Sequence, residues 1–551
     1  MDTLTDHKGE PARGSSSGRW RASRFVIGAV VAEMSAFNGI SANLIMYMMG
    51  PLGQSTATAA ANVNTWGGTA MLLPVLGALV ADSFLGCYST IVLSSILYIL
   101  GLGLLTISAA LTSLQASNCQ ATATNHSCTP SVLQNLFFFF ALYLVAIAQA
   151  GHKPCIQAFG ADQFDSQNPK ESEEKSSFFN WYYFSYSVGI LLTILTVVYI
   201  QDNLDWSIGF GIPCVMMVAA LSLFLLGNRT CRYSVRKKDK NPLLRIGLVI
   251  VRAFRNRASS PVMESDEVEA YLVHQSSQQY KFLNKALYLP NSLTDSQKLC
   301  SVKDVEDTRA LFRLIPIWTT CLVYAVLIAQ TTTFFTKQGA TMDRTILSGF
   351  KIPAASLQCF IGVGIILFVP VYDRLFIPIA RSLTGNPNGI TVLQRVGVGL
   401  FVSIICMVNA ALVERKRLET AKSYGIVDMP NATVPMSFWW LVPQYFLSGA
   451  TFVFSLIGLQ EFFYDQFPKE LKSVGISLYL SFTGVGSFLS SFLVSAIDKA
   501  TCVDGRESWF ADNVNRAHLD YFYWLLAGFS AIGFIAFLSF ARSYIYRKED
   551  S

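Results

Sequence analysis

Residues 132–155 read VLQNLFFFFALYLVAIAQAGHKPC. From Val132 to His152 the stretch carries no formal charge, and Lys153 ends it. A helix crosses the hydrocarbon core of a bilayer with about 20 predominantly apolar residues, so this is a membrane span. Comparable runs cover approximately 25–49, 63–82, 88–112, 178–200 and 206–227, then 310–334, 350–371, 389–413, 437–462, 473–498 and 520–542. Gly67, Gly68 and Pro74 interrupt the second of them. Six spans therefore precede a polar gap and six follow it.

Composition agrees. Of 551 residues, 52% are hydrophobic and 14% charged, against roughly 25% charged in an ordinary globular protein. A soluble multidomain enzyme and a disordered chain are both excluded, and the net charge of +6 does not suggest nucleic acid. The start, Met1 to Trp20, lacks the apolar core of a signal peptide, so the first span is expected to serve as the insertion signal. Five of the eleven cysteines (Cys155, Cys214, Cys321, Cys359 and Cys406) lie inside apolar runs, where Cys acts as a small hydrophobe. Cys119 and Cys128 share a polar loop and form the candidate disulfide. No CxxC or His/Cys cluster indicates a metal, and no cofactor is expected.

Loop charge reports orientation, because Lys and Arg concentrate on the cytoplasmic side. The gap 228–309 holds fifteen Lys and Arg, whereas 113–131 holds none. Basic residues also precede the first span (Arg13, Arg19, Arg21, Arg24) and follow the last (Arg547, Lys548). Both termini and the long gap are thus expected in the cytoplasm. The loop 414–436 disagrees, since it should face outward yet holds Arg415, Lys416, Arg417 and Lys422. The expected division is a tail at 1–24, a six-helix bundle at 25–227, a cytoplasmic linker at 228–309, a second bundle at 310–542 and a tail at 543–551. Within the linker, Asn241-Pro242 reads as a cap and first-turn proline. Arg245, Arg252 and Arg255 then recur on one side of an expected basic amphipathic helix at the membrane surface. The sequons leave Asn125 and Asn431 as candidate glycan sites, Asn228 being on the cytoplasmic side.

Charges inside hydrocarbon cost roughly 2.5–3.5 kcal/mol on insertion scales, which makes them functional candidates. Glu33 lies deep in the first span, Lys153 late in the fourth and Glu461 late in the tenth. Snorkelling to the headgroups is the plain alternative for Lys153, and marking a helix end is that for Glu461. Spans 4 and 10 are equivalent in a six-plus-six repeat, so Lys153 and Glu461 could pair across the halves when the cytoplasmic mouth closes. Only His152 of the five histidines is near a span. With no carboxylate pair, GxSxG elbow or P-loop, neither an enzyme nor an ATP-driven pump is expected. Two similar halves suit a carrier that binds substrate near the midplane.

Several segments resemble a known family. Phe178-Phe179-Asn180-Trp181-Tyr182-Tyr183-Phe184, Gly160-Ala161-Asp162-Gln163-Phe164-Asp165 and Leu76-Gly77-Ala78-Leu79-Val80-Ala81-Asp82 are similar to signatures of the proton-dependent oligopeptide transporter family. Phe282-Leu283-Asn284-Lys285-Ala286, Arg313-Leu314-Ile315-Pro316-Ile317-Trp318 and Leu393-Gln394-Arg395 resemble its plant branch, the nitrate transporter 1/peptide transporter family. The resemblance runs from about 25 to 540. It implies an all-α membrane protein with the major facilitator fold, twelve helices in two bundles and a central cavity, carrying solutes such as nitrate, chloride, peptides, hormones or glucosinolates.

The chain departs from that pattern. Where proton-coupled relatives carry Glu-x-x-Glu-Arg/Lys in the first span, this chain has Val30, Glu33 and Met34. A span 7 histidine used by some nitrate-carrying relatives corresponds to Ile328, near Gln330 and Thr332, and a loop base after span 2 to Cys87, beside the retained gating-loop Asp82. The leading expectation is a secondary carrier of a small anion or organic solute, with proton coupling open. Lys153 would supply positive potential, Glu33 and Glu461 its counter-charges, and Gln330 and Thr332 polar contacts. A proton-coupled di- or tripeptide symporter is the second reading, and a non-transporting sensor or scaffold the third. Plasma membrane and vacuole are both compatible, and oligomeric state is open.

Overall fold

The structure, a computed structural model, describes residues 3–5, 17–121, 131–165, 169–235, 242–256, 279–287, 301–346, 349–376, 378–379, 382, 390–430, 432–466, 472–502 and 507–544. Asn125, Asn431 and Cys128, and with Cys128 the candidate disulfide to Cys119, fall outside them.

The first half comprises α1 (Arg19–Ser41), α2 (Leu44–Met49), α3 (Thr56–Val80), α4 (Cys87–Ala121), α5 (Val132–Ala161), α6 (Pro169–Asn203) and α7 (Trp206–Gly227). The second comprises α9 (Val302–Ala329), α10 (Phe334–Ala340), α11 (Cys359–Val371), α12 (Val392–Ser423), α13 (Val442–Thr451), α14 (Ile457–Asp465), α15 (Lys472–Thr501) and α16 (Leu519–Arg542). Among the described residues, ten helical stretches are long and apolar enough to cross a membrane. Helices α1 and α3 match them in length at 23 and 25 residues. They are more polar because α1 carries Arg19, Arg21, Arg24 and Glu33, and α3 carries Asn62, Asn64 and four threonines. Short strands form two pairs: β1 (Thr3–Thr5) pairs antiparallel with β2 (Tyr233–Val235), and β3 (Met342–Asp343) parallel with β4 (Val434–Ser437), with an isolated bridge between Thr345 and Lys351.

Helix starts follow local chemistry. Ser131 with Gln134, Ser301 with Asp304 and Thr391 with Gln394 form reciprocal capping boxes at α5, α9 and α12, satisfying amides that the helix leaves unpaired. The first and third of these helices carry Lys153 and Arg395, and Gln330 caps the end of α9. In α5, Pro154 supplies no amide for the carbonyl of Ala150, four residues earlier. Gly77 of α3 packs against that carbonyl, where a Cβ would stand only 2.0 Å from the oxygen. Between α4 and α5, Gly151 leaves room for Ser94 and Gly101 for Val145. Small residues let membrane helices approach closely in this way.

The hydrogen bonds that join the halves gather at one end of the bundle, the end with the 50–55 connection. Thr56 N donates to Asp512 Oδ1 (2.7 Å), Asn64 Nδ2 to Ser490 Oγ (3.0 Å), and the Thr65 and Ser491 hydroxyls meet at 2.8 Å. Across a second seam, Ser356 Oγ donates to the carbonyl of Ile194 and Gln358 Nε2 to that of Ala42, both at 3.0 Å. At the waist, Gly68 and Gly484 bring the backbones of α3 and α15 together. Further along α3, toward its C-terminal end, the hydrogen bonds among the described residues lie within each half.

The linker contains α8 (Pro242–Arg255). Ile246, Val249 and Ala253 are buried, the last two packing with Leu283, Ala286, Leu287 and Val305, while Leu248, Val251 and Phe254 stay exposed. Val249, four residues after Arg245 and three before Arg252, is buried on the arginines' side of the helix. The charges at 414–436 also have a structural reason. Arg417 is buried and donates to Glu414 (2.9 and 2.7 Å), Asn515 Oδ1 (2.7 Å) and the carbonyl of Val514 (2.7 Å). Arg415 pairs with Glu419, and Lys416 sits over the Trp440 ring at 3.5 Å. Arg417 and Lys416 are thus engaged in packing, while the Arg415–Glu419 pair is exposed.

Candidate functional site

Two of the clusters of ionisable side chains in the helices, one in each half, contain the charges that interrupt apolar runs. In the first, α1 brings Glu33, α4 brings Tyr98 and α5 brings Gln149, His152 and Lys153. Glu33, Tyr98, Gln149 and His152 are all essentially inaccessible. The Tyr98 hydroxyl donates to Glu33 Oε1 at 3.4 Å, and the edge of the same ring meets His152 at a centroid separation of 6.0 Å. Lys153, partly buried, acts on Glu33 electrostatically. A carboxylate this deep needs such a counter-charge or a proton. Met34 leaves no cation beside Glu33 on its own helix, and α5 provides one instead.

The second cluster centres on Arg395 of α12. Its Nη1 donates to Glu461 Oε2 at 3.0 Å and its Nη2 to the carbonyl of Val453 at 2.9 Å. The guanidinium lies over the Tyr372 ring, 4.3 Å from the centroid. Val453 belongs to a π-helical turn, Phe452–Leu456, between α13 and α14. Such turns widen the hydrogen-bond spacing and occur often at functional sites. Arg395 is nearly buried, whereas the Glu461 side chain is 45% exposed, so the carboxylate presents an open side.

Lys153 makes no ion pair with Glu461 among the described residues, in a structure whose halves meet at the opposite end. Gln330 lies elsewhere. Its Nε2 donates to the carbonyl of Val326 (2.7 Å) and to Ser490 Oγ (3.0 Å), the hydroxyl that also accepts from Asn64. Gln330 thus belongs to the seam between halves. Thr332 is partly buried, with its hydroxyl 3.4 Å from the carbonyl of Ala329. Asp82 falls in a π-helical turn, Ala81–Leu85, that continues α3.

Sequence reasoning quoted Arg395 only within a family segment and gave it no role, did not single out Tyr98 or Gln149, and noted His152 only as near a span. The rule that selects Glu33 applies equally to Arg395, which lies inside the apolar run 389–413. Tyr98 and Gln149 are uncharged and acquire meaning only from their neighbours.

Comparison with known proteins agrees with this architecture. The model of the POT family matches residues 88–510. Two Arabidopsis thaliana proteins, NRT1/PTR FAMILY 5.10 and 5.14, are each 57% identical; the first match covers 100% of this chain and 97% of the relative, the second 99% and 96%. A crystal structure of an auto-inhibited POT family peptide transporter superposes with a TM-score of 0.71 at 21% identity, covering 96% of this chain and 98% of that one. The chain therefore belongs to the POT family, in its NRT1/PTR branch, and is a multi-pass secondary membrane transporter.

Proposed function

We propose that this transporter carries a small anion or organic solute by alternating access, and that the two ionic clusters face each other across its central path. The supporting observation is that Glu461 already has a cation in Arg395, which leaves Lys153, whose charge acts on Glu33 in its own half, available to recognise a solute. A joined end and an unjoined end suit one limiting state of a rocking cycle. With both termini cytoplasmic, that state opens inward.

In this reading Lys153 supplies the attraction, Glu33 and Glu461 set its strength, and Thr332 offers a hydroxyl. Gln330 serves the outer seal, and Asp82 the hinge region after α3. Protons enter through Glu33, the one acid of the span 1 motif that this chain keeps. The test is solute flux in proteoliposomes against a panel of nitrate, chloride, organic anions and dipeptides, with and without a pH gradient. Uptake of one anion class supports the proposal. Uptake confined to dipeptides and driven by acid pH would replace it with peptide symport, and no flux of any solute would reject carriage of these classes.

A further inference from the structure

We infer that His152, Gln149, Tyr98 and Glu33 enclose a second proton-binding position, in which ordered water joins the His152 imidazole to the Glu33 carboxyl. Both ring nitrogens of His152 and both side-chain polar atoms of Gln149 lack a hydrogen-bond partner within the protein, and both side chains are 0% exposed. Buried polar atoms in native proteins are nearly always satisfied, by protein or by ordered water. Three residues apart on α5, Gln149 and His152 share one helix face. Four orphaned donors and acceptors on one face meet the requirement of a buried water for two to four polar partners.

The surroundings favour protons over other ligands. Tyr98 contacts both titratable groups, donating to Glu33 and lying edge-on to His152. Around His152, α5 adds Lys153, α4 adds Tyr98, and α1 adds Glu33. Helix α3 has no titratable side chain between Thr56 and Val80. The core cluster one turn further along α5 adds Tyr182 and Tyr186 of α6 with Tyr88 of α4. Histidine is the side chain whose charge changes nearest neutral pH. Through Tyr98, His152 neighbours the one acid that the altered span 1 motif keeps. A proton arriving from the open end is then shared. The Glu33 carboxyl gives it to the bridging water, which gives one of its own protons to an imidazole nitrogen. The water exchanges one O–H bond for another, Glu33 is left as a carboxylate and His152 as imidazolium.

The role of this position in coupling rests on the carrier reading, but its existence is tested without flux. A full-length chain with His7, His126, His274 and His518 changed to Gln retains only the His152 imidazole. In lipid nanodiscs its 15N resonances report protonation directly. The expected result is a titration between about pH 3 and 8, the ordinary imidazole range extended downward for burial. Its midpoint falls by about one unit in Glu33→Gln, because a neighbouring carboxylate favours imidazolium. An imidazole that stays in one state across that range, or a midpoint that Glu33→Gln leaves in place, overturns the inference. Either result leaves the carrier proposal standing, since that is judged by solute flux.

Discussion

Lys153 and Arg395 are both cations inside apolar helices, but their partners differ. Arg395 is held by a carboxylate, a carbonyl and an aromatic face, as suits a planar fork of donors. Among the described residues Lys153 makes no hydrogen bond or ion pair, and it acts on Glu33 through space. Replacing Lys153 does not strand Glu461, and Glu33 can take up a proton in compensation. Lys153→Ala is therefore expected to abolish flux while the protein reaches the membrane with its thermal stability within about 1 kcal/mol of the parent, the range of weak ion pairs. Normal flux from that variant would remove Lys153 from the mechanism. Arg395→Gln should instead lower the melting temperature measurably, because a carboxylate that loses its hydrogen-bonded partner costs about 3 kcal/mol when buried and less when partly exposed, as here. The candidate site was legible in sequence where a charge interrupts an apolar run, hence Glu33, Lys153 and Glu461. Arg395 obeys the same rule but stands near the start of its run, where it reads as an end-of-span cation. His152 was hidden by its neutrality, and Gln330 was misplaced because depth along a helix does not say which face a side chain occupies.

At the scale of elements, the start of α6 is tied to the exit of α7 and to the N-terminus. Arg232 Nη1 donates to Glu171 Oε2 at 2.7 Å and Arg232 Nε to the carbonyl of Ser17 at 2.9 Å, with both charged side chains buried. The amide of Asp165 donates to the same carboxylate. Burial alone raises the Glu171 carboxyl, but the Arg232 hydrogen bonds, the Asp165 amide and the charges of Arg232 and Arg19 hold it below its ordinary value of 4.5. A carboxyl depressed in the folded state stabilises above its unfolded value, and that stability is lost as pH falls through the folded one. The melting temperature in detergent should accordingly fall below about pH 4.5, the ordinary glutamate range. Glu171→Gln should be less stable by about 3 kcal/mol at neutral pH and flatter on the acid side; a variant with the parent's acid slope would remove Glu171 as its cause. Helix positions were legible because apolar length is a membrane requirement: Trp206–Gly227 matches the run 206–227. Helix ends were less so. Val392–Ser423 extends past the run 389–413, because beyond the apolar core a helix continues on polar contacts such as the Glu414–Arg417 pair.

The molecule as a whole places its joints asymmetrically, and that carries a consequence for turnover. If the halves rock about the substrate, the seam through Thr65 and Ser491 must open once in every cycle; if the carrier worked with that seam permanently shut, fixing it would not matter. The two hydroxyls lie 2.8 Å apart, which holds their Cβ atoms near the separation of roughly 3.5–4.5 Å that a disulfide requires. The double substitution Thr65→Cys with Ser491→Cys should therefore cross-link under mild oxidation. Loss of the seam's hydrogen bonds alone is a small change, of order 1 kcal/mol each, so the reduced double variant should keep most of its flux. Oxidation should then abolish flux of whichever solute the panel identifies, and a reductant should restore it, with the melting temperature raised in the oxidised form because a cross-link between distant segments restricts the unfolded chain. Background cysteines do not confuse the reading, since each single variant, Thr65→Cys or Ser491→Cys, should be indifferent to oxidant. Full flux from a chain shown by gel shift after proteolysis in the linker to be quantitatively cross-linked would mean that the halves need not part at this end, and alternating access through this seam would be ruled out.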